Sequence, residues 1–249
     1  MSSDKMARMS RRAAFPPVWT SVLAVIAHPD AESFGLGAVV DALIFAGAKV
    51  EVHCLTHGQS WPLDEAPGDL AALRGAELAS AADVLGPLRG KMTDCLDGEL
   101  GEGCRARLVG DVVACADSCH PDGLLVFDSP PYPGRLDHAA ATTIALRAAE
   151  TLDLPVLGWT LSRQAATRFN REFGSGSTGA QSESIDLRVT VDRTRQRMAS
   201  RAVTGPALPG SPPRRRLELL AETKSLSWLR PPRGLGSRQK APANGAAKD

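Results

Sequence analysis

Val22-Leu23-Ala24-Val25-Ile26-Ala27-His28-Pro29-Asp30-Ala31-Glu32 is the stretch on which the reading of this chain turns. Its first six residues form a continuous apolar run of strand length, the pattern of a strand buried on both faces of a parallel sheet. The run then gives way abruptly to a histidine, a proline and two acids. Pro29 suits the first position of a helix, and Asp30 and Glu32 suit its first turn, where the helix dipole favours negative charge. A helix start is therefore one reading of the polar cluster, and a functional site at a strand end is the other.

Outward from this stretch, strand and helix signals alternate. Gly37–Ala46 has helical spacing (Val39, Val40, Leu43, Ile44) and stops at Gly47. Lys49–Leu55 reads as a second strand, and Leu70–Leu85 as an amphipathic helix ended by Gly86-Pro87. Arg105–Ala116 and the Ala-rich His138–Leu152 are further helices; Gly123–Phe127, Leu154–Leu161 and Asp186–Val191 are further strands. A Gly/Pro-rich break over Thr204–Pro213 precedes one last expected helix, Arg214–Leu229, carrying Leu217, Leu219, Leu220, Leu226 and Trp228. Strands alternating with such helices predict βαβ units. The fold class is α/β: a single Rossmann-like domain, with a mostly parallel sheet and helices on both faces. The expected organisation is a flexible leader over 1–20, the domain over 21–230 and a disordered basic tail over 231–249.

With 249 residues, 43% of them hydrophobic and 23% charged, the chain has ordinary globular composition and can bury a sizeable core. The net charge of +1 conceals an asymmetry: residues 1–192 carry 16 Lys/Arg against 25 Asp/Glu, and residues 193–249 carry 13 against 3. Without interleaved aromatics, the basic end with Arg214-Arg215-Arg216 reads as a solvated tail rather than a nucleic-acid surface. No apolar run is long enough to span a membrane. Ser10-Arg11-Arg12 ahead of Val22–Ala27 loosely mimics a twin-arginine export signal, but the apolar stretch is short and runs straight into the polar cluster. The five cysteines are odd in number and lack CxxC spacing, which argues against a zinc cage or disulfide framework and for a reducing, cytoplasmic location. The glycines of Phe34-Gly35-Leu36-Gly37 come too late after the strand for a dinucleotide loop.

In a parallel α/β sheet, ligands bind outside the carboxyl ends of the strands. His28-Pro29-Asp30-Ala31-Glu32 follows the first strand, Thr56-His57-Gly58-Gln59 the second, and Asp128 to His138, with Tyr132, Arg135 and Asp137, the Gly123–Phe127 strand. Three of the five histidines thus fall on one edge. Each has an ordinary alternative: Asp137 also suits a helix cap, His57 a loop, and His138 a packed histidine.

Several segments together resemble one family. Val25-Ile-Ala-His28-Pro29-Asp30-Ala31-Glu32-Ser-Phe-Gly-Leu-Gly37 is similar to the AHPDDE…G.G signature of the LmbE/PIG-L zinc-dependent N-acetylglucosamine deacetylases. Arg74-Gly-Ala-Glu77 with Ala82-Asp-Val-Leu-Gly86, Asp94-Cys-Leu-Asp97-Gly98, and Gly134-Arg135-Leu136-Asp137-His138 resemble later motifs in the right order. So do Pro155–Leu161 and Val191–Gln196. The resemblance implies a hydrolase that removes an acetyl group from an N-acetylated amino sugar conjugate with the help of Zn2+. By the same resemblance His28 and His138 match metal ligands, Asp30 the general base, Asp137 an acid that orients its neighbours, and Arg74 and Asp97 sugar-holding positions.

Two positions depart from the family pattern. Ala31 stands where the third metal ligand, an aspartate, is usual, and a methyl group coordinates nothing. That leaves two imidazoles where catalytic zinc takes three protein ligands, so the expected metal is weakly held; Glu32, His57 and Asp30 are the substitutes within reach in sequence. Arg135 stands where the family has a histidine, and a guanidinium cannot act as a general acid at neutral pH. The alternative expectation is a family member that binds sugar conjugates without turnover.

Overall fold

Strand β1 (Ser21–Ile26) runs through the middle of a seven-stranded sheet whose order is β3-β2-β1-β4-β5-β7-β6. The structure is a computed structural model, which describes residues 17–29, 35–58, 70–86, 88–128, 136–201 and 212–234. On one side β1 pairs in parallel with β2 (Lys49–Cys54), and β2 with β3 (Leu88–Met92). On the other it pairs in parallel with β4 (Gly123–Phe127), and β4 with β5 (Val156–Thr160). Strands β7 (Thr223–Arg230) and β6 (Leu187–Thr190) extend the sheet in antiparallel fashion beyond β5.

The sequence order reverses at β1, which neighbours both β2 and β4. A switch of this kind opens a crevice beyond the carboxyl ends of the two central strands. Residues that follow β1 and β4 therefore converge there.

The helices are α1 (Gly37–Ala46), α2 (Leu70–Leu85), α3 (Glu102–Cys119), α4 (Leu136–Leu152), α5 (Arg163–Phe173), α6 (Thr194–Ala199) and α7 (Pro212–Leu219). They cover both faces, which explains why β1 is apolar and buried from Val22 to Ile26. Val22, Ala24 and Ile26 pack with Val39, Leu43, Phe169 and Leu217 from α1, α5 and α7. Leu23, Val25 and Ala27 pack with Leu108, Val112, Ile144 and Ala148 from α3 and α4. Trp19 meets Trp228 edge-on at 5.8 Å and lies so close to Gly123 that a Cβ there would strike its ring, which is why this strand starts with glycine.

The last expected helix is corrected. Arg214–Leu229 does not form one helix: α7 ends at Leu219 and β7 begins at Thr223. Leu226 points into the core beside Val189, while Ser225 and Ser227 lie on the opposite face. The ladders to β5 and β6 satisfy backbone groups that one long helix would have withdrawn from the sheet. Three elements were not read from the sequence. Helix α5 turns only Ala165, Ala166, Phe169 and Phe173 to the core and is marked by the Ser162 N-cap, whose Oγ accepts from Ala165 N at 3.3 Å. Strand β3 (LRGKM) lacks an apolar run, and α6 is one short turn and a half.

The β6–β7 end holds a buried basic pair. The Arg193 guanidinium donates to the carbonyls of Leu217 and Leu220 at the carboxyl end of α7. Burial pushes its pKa down to about 10. Lys224, only 2% exposed, has no hydrogen-bond partner for its Nζ among the described residues. Burial, then the charges of Arg193 and Arg197, push its amine down to about 7.

Candidate active site

The switch point brings together four segments that are far apart in sequence. His28 follows β1; the 56–58 loop follows β2; Asp94–Gly98 follow β3; Asp137 and His138 open α4. The first two are pinned to each other by the Ala27 carbonyl, which accepts from Thr56 N and from Thr56 Oγ1, each at 3.0 Å.

His28 is 9% exposed, with its Nε2 3.0 Å from Asp137 Oδ2 and 3.9 Å from Asp97 Oδ1. Asp137 Oδ2 also accepts the Gly98 N–H at 2.8 Å. Burial pushes the Asp137 carboxyl up, but the hydrogen bonds from His28 and Gly98 and the neighbouring histidines outweigh it, so its net pKa lies below the ordinary value. An ionised carboxylate only accepts, so His28 carries a proton on Nε2 where it faces Asp137. Asp97 Oδ1 accepts the Gly58 N–H at 3.1 Å, which ties the post-β2 loop to the post-β3 loop. Gly58 sits at φ +71°, and a Cβ there would come within 2.9 Å of Pro29 Cδ, so glycine is required by both conformation and space.

His138 is buried, its ring edge-on to His28 and to Phe127, with centroids 5.2 Å away in each case. Arg74, 3% exposed on α2, donates through Nη1 to Glu77 Oε2 at 2.8 Å. Its Nε and Nη2 have no hydrogen-bond partner among the described residues. The Arg74 side chain also runs alongside Gly58: a Cβ on that glycine would sit 3.9 Å from Arg74 Cδ. Buried guanidinium donors left open in this way are suited to the hydroxyl or carbonyl oxygens of a bound molecule.

Of the residues expected from the sequence, His28, Asp137, His138, Arg74 and Asp97 therefore belong to one neighbourhood. Asp30, Ala31, Glu32 and Arg135 lie outside the described residues. His57 stays at the rim, with Nε2 3.6 Å from the exposed Asp94 carboxylate. Two supports were not read from the sequence: the Gly58 and Gly98 amides, which hold the two carboxylates. The turns Thr56-His57-Gly58 and Asp97-Gly98 carry the only signal for them, since glycine allows the positive φ seen at both.

The donor set tests the zinc expectation directly. A histidine that ligates a metal commonly gives its other N–H to a carboxylate, which is the His28–Asp137 arrangement. Among the described residues, however, no three His, Cys, Asp or Glu side chains are grouped to hold a metal ion. With alanine at position 31, two imidazoles fall one ligand short of a catalytic zinc shell.

Comparison with known proteins gives a consistent picture. The sequence model of the PIG-L family, described as GlcNAc-PI de-N-acetylase, matches residues 23–149, just over half of the chain. No curated protein sequence matches. Among solved structures, the A40926 pseudoaglycone deacetylase Dbv21 superposes with a TM-score of 0.66 at 20% identity, over 84% of this chain and 96% of that one. The 4-carboxy-2-hydroxymuconate hydratase GalB of Pseudomonas putida KT2440 superposes with a TM-score of 0.65 at 14% identity, over 89% of this chain and 100% of that one. The N,N'-diacetylchitobiose deacetylase of Pyrococcus horikoshii reaches 0.56 at 19% identity, over 84% and 81%. At these identities the structures establish a shared fold, and that fold carries a hydratase as well as deacetylases.

Proposed function

From the premise that this chain belongs to the PIG-L family, we propose that it is a metal-dependent hydrolase that removes the acetyl group from an N-acetylated amino sugar conjugate. The observation that carries this reading is the pinned His28–Asp137 pair, with His138 packed beside it at the switch point. In a fold that also supports hydration chemistry, the residues of the site must decide the reaction, and these match the deacetylase motifs except at Ala31 and Arg135.

In this reading each residue has a stated task. Asp137 accepts from His28 Nε2 and so fixes the orientation of the imidazole, whose Nδ1 would face the metal. Arg74 and Asp97 hold the sugar, Arg74 through its open Nε and Nη2 donors and Asp97 through its carboxylate, fixed by the Gly58 amide. Asp30 takes the proton of the attacking water. Bound zinc would lower the pKa of that water and stabilise the developing oxyanion. His28 and His138 would hold it, weakly, because position 31 supplies no carboxylate. Arg135 is cationic and suited to an oxyanion, which leaves proton delivery to the amine with Asp30. We place the protein in the cytoplasm, in keeping with its free cysteines; among the described residues no helix is long and apolar enough to cross a membrane.

A second reading, a sugar-binding family member without turnover, is favoured by Ala31. Metal analysis of protein purified without chelator, paired with an acetate-release assay on N-acetylglucosamine conjugates, separates the two. The hydrolase should retain zinc, or recover it on addition, and release acetate. Less than about 0.1 zinc per chain, unrecovered by added metal, together with no acetate, overturns the hydrolase reading.

A further inference from the structure

Gln196, on α6, is a polar residue with 0% exposure that the reading of the site does not use. Its amide is held at both ends. Arg193 Nε donates to Oε1 at 3.1 Å, and Nε2 donates to the Gly35 carbonyl at 3.3 Å. The partners fix which way the amide points, because a guanidinium only donates and a carbonyl only accepts. Arg193 is itself anchored by the carbonyls of Leu217 and Leu220. From that anchor the glutamine reaches 161 positions back along the chain to Gly35.

Gly35 in turn touches the site. A Cβ there would strike the ring of Phe127, so the Gly35 backbone lies in close contact with that ring. Phe127 closes β4 and meets His138 edge-on at 5.2 Å and Trp159 edge-on at 5.5 Å. Thr142 Oγ1 lies 2.7 Å from the Phe127 carbonyl and 3.0 Å from that of His138, which ties the strand end to the first turn of α4. The Phe127 ring therefore has its backbone fixed and Gly35, Trp159 and His138 around it. Close-packed interiors transmit strain, so a shift of Gly35 passes through the ring to His138.

We propose that Gln196 is a positioning residue of the site: by holding the Gly35 carbonyl it seats that backbone against Phe127, and through the Phe127 ring it sets the orientation of the His138 imidazole. This rests on the reading of His138 as part of a de-N-acetylase site. A glutamine that served only to satisfy Arg193 would need its acceptor and not its donor. The two roles therefore separate at the Nε2 end of the amide.

The test uses the full-length, metal-free protein with labelled histidines and reads the nuclear Overhauser effect between the His28 and His138 rings, whose centroids are 5.2 Å apart. Gln196→Glu keeps an acceptor for Arg193 and removes the donor to Gly35; Gln196→Met removes both. Both should weaken the effect. Phe127→Leu should weaken it too, and adding Gln196→Met to Phe127→Leu should weaken it no further, because the ring that carries the coupling is gone. Val50→Ala, a core truncation at the amino end of β2, should leave it intact although it lowers the unfolding midpoint. With zinc and the methyl glycoside of N-acetylglucosamine, Gln196→Glu should lower kcat by about tenfold at unchanged KM, the low end for loss of a group that holds a metal-binding histidine in place. An intact ring-to-ring effect in the folded Gln196 variants overturns the inference. So do equal weakening in Val50→Ala, further weakening on the Phe127→Leu background, or a wild-type kcat in Gln196→Glu. If neither Gln196 variant folds, Phe127→Leu decides: an intact effect there overturns the inference and a weakened one upholds it. Weakening in the Gln196 variants with no acetate released even by the wild type leaves the positioning standing and removes the hydrolase reading.

Discussion

The switch-point site and the β6–β7 end both bury ionisable groups, and they treat charge in opposite ways. At the site, charge is kept. Asp137 is held below its ordinary pKa by His28 and the Gly98 amide, and Asp97 takes the Gly58 amide. At the other end charge is given up. Lys224 has no hydrogen-bond partner among the described residues, and burial drives its amine down to about 7. The difference teaches that burial alone marks neither region as functional. What separates them is whether backbone donors and opposite charges have been arranged to hold the charged form, which is costly to maintain away from water.

The largest expected effect comes from restoring charge where the site lacks it. Ala31→Asp should tighten zinc binding by at least about tenfold in competition with a chromophoric chelator, because it returns a third protein ligand. An unchanged affinity would mean that position 31 does not face the metal. Asp137→Ala should cut turnover by about 10- to 100-fold through loss of the His28 orientation. A loss confined to KM, with kcat intact, would assign Asp137 to substrate binding instead.

At the opposite end, Lys224→Met should raise stability by roughly 1–4 kcal/mol at neutral pH and below. The pH dependence follows from the sign of the shift. A base whose folded pKa is about 7 and whose unfolded pKa is 10.5 binds fewer protons when folded, so wild-type stability should climb between those values. Urea denaturation across pH 6 to 10 checks this, and the methionine variant should flatten the climb. The smallest effect is expected from Gly58→Ala, at about 1–2 kcal/mol, from the φ of +71° and the close Pro29 ring. Its weight should fall on the site: if sugar affinity is unmoved while stability drops, the Gly58–Asp97 contact serves only the fold.

Much of the sheet is readable from the sequence because its central strands are short, largely apolar runs. Gly123–Phe127 and the helices Gly37–Ala46 and Leu70–Leu85 occupy the residues expected. The failures cluster toward the sheet edges, where apolar content stops being diagnostic. Leu88–Met92 has two exposed cations and a glycine, and Thr223–Arg230 shares its leucines with a helical pattern. Hydrogen bonding to an existing strand decides such segments, and that is invisible to local periodicity.

The sequence by itself determined the doubly covered central strands and the family, and it offered His28, Asp97, Asp137, His138 and Arg74 as candidates, since each of these is carried by a local pattern or motif. Only the tertiary structure decided that Asp137 faces the Nε2 of His28 and that the Gly58 and Gly98 amides hold the two carboxylates. Those relations link residues some 40 to 110 positions apart, from 39 for Gly98–Asp137 to 109 for His28–Asp137. They exist because a reversal of strand order at β1 makes neighbours of loops that no sequence window contains.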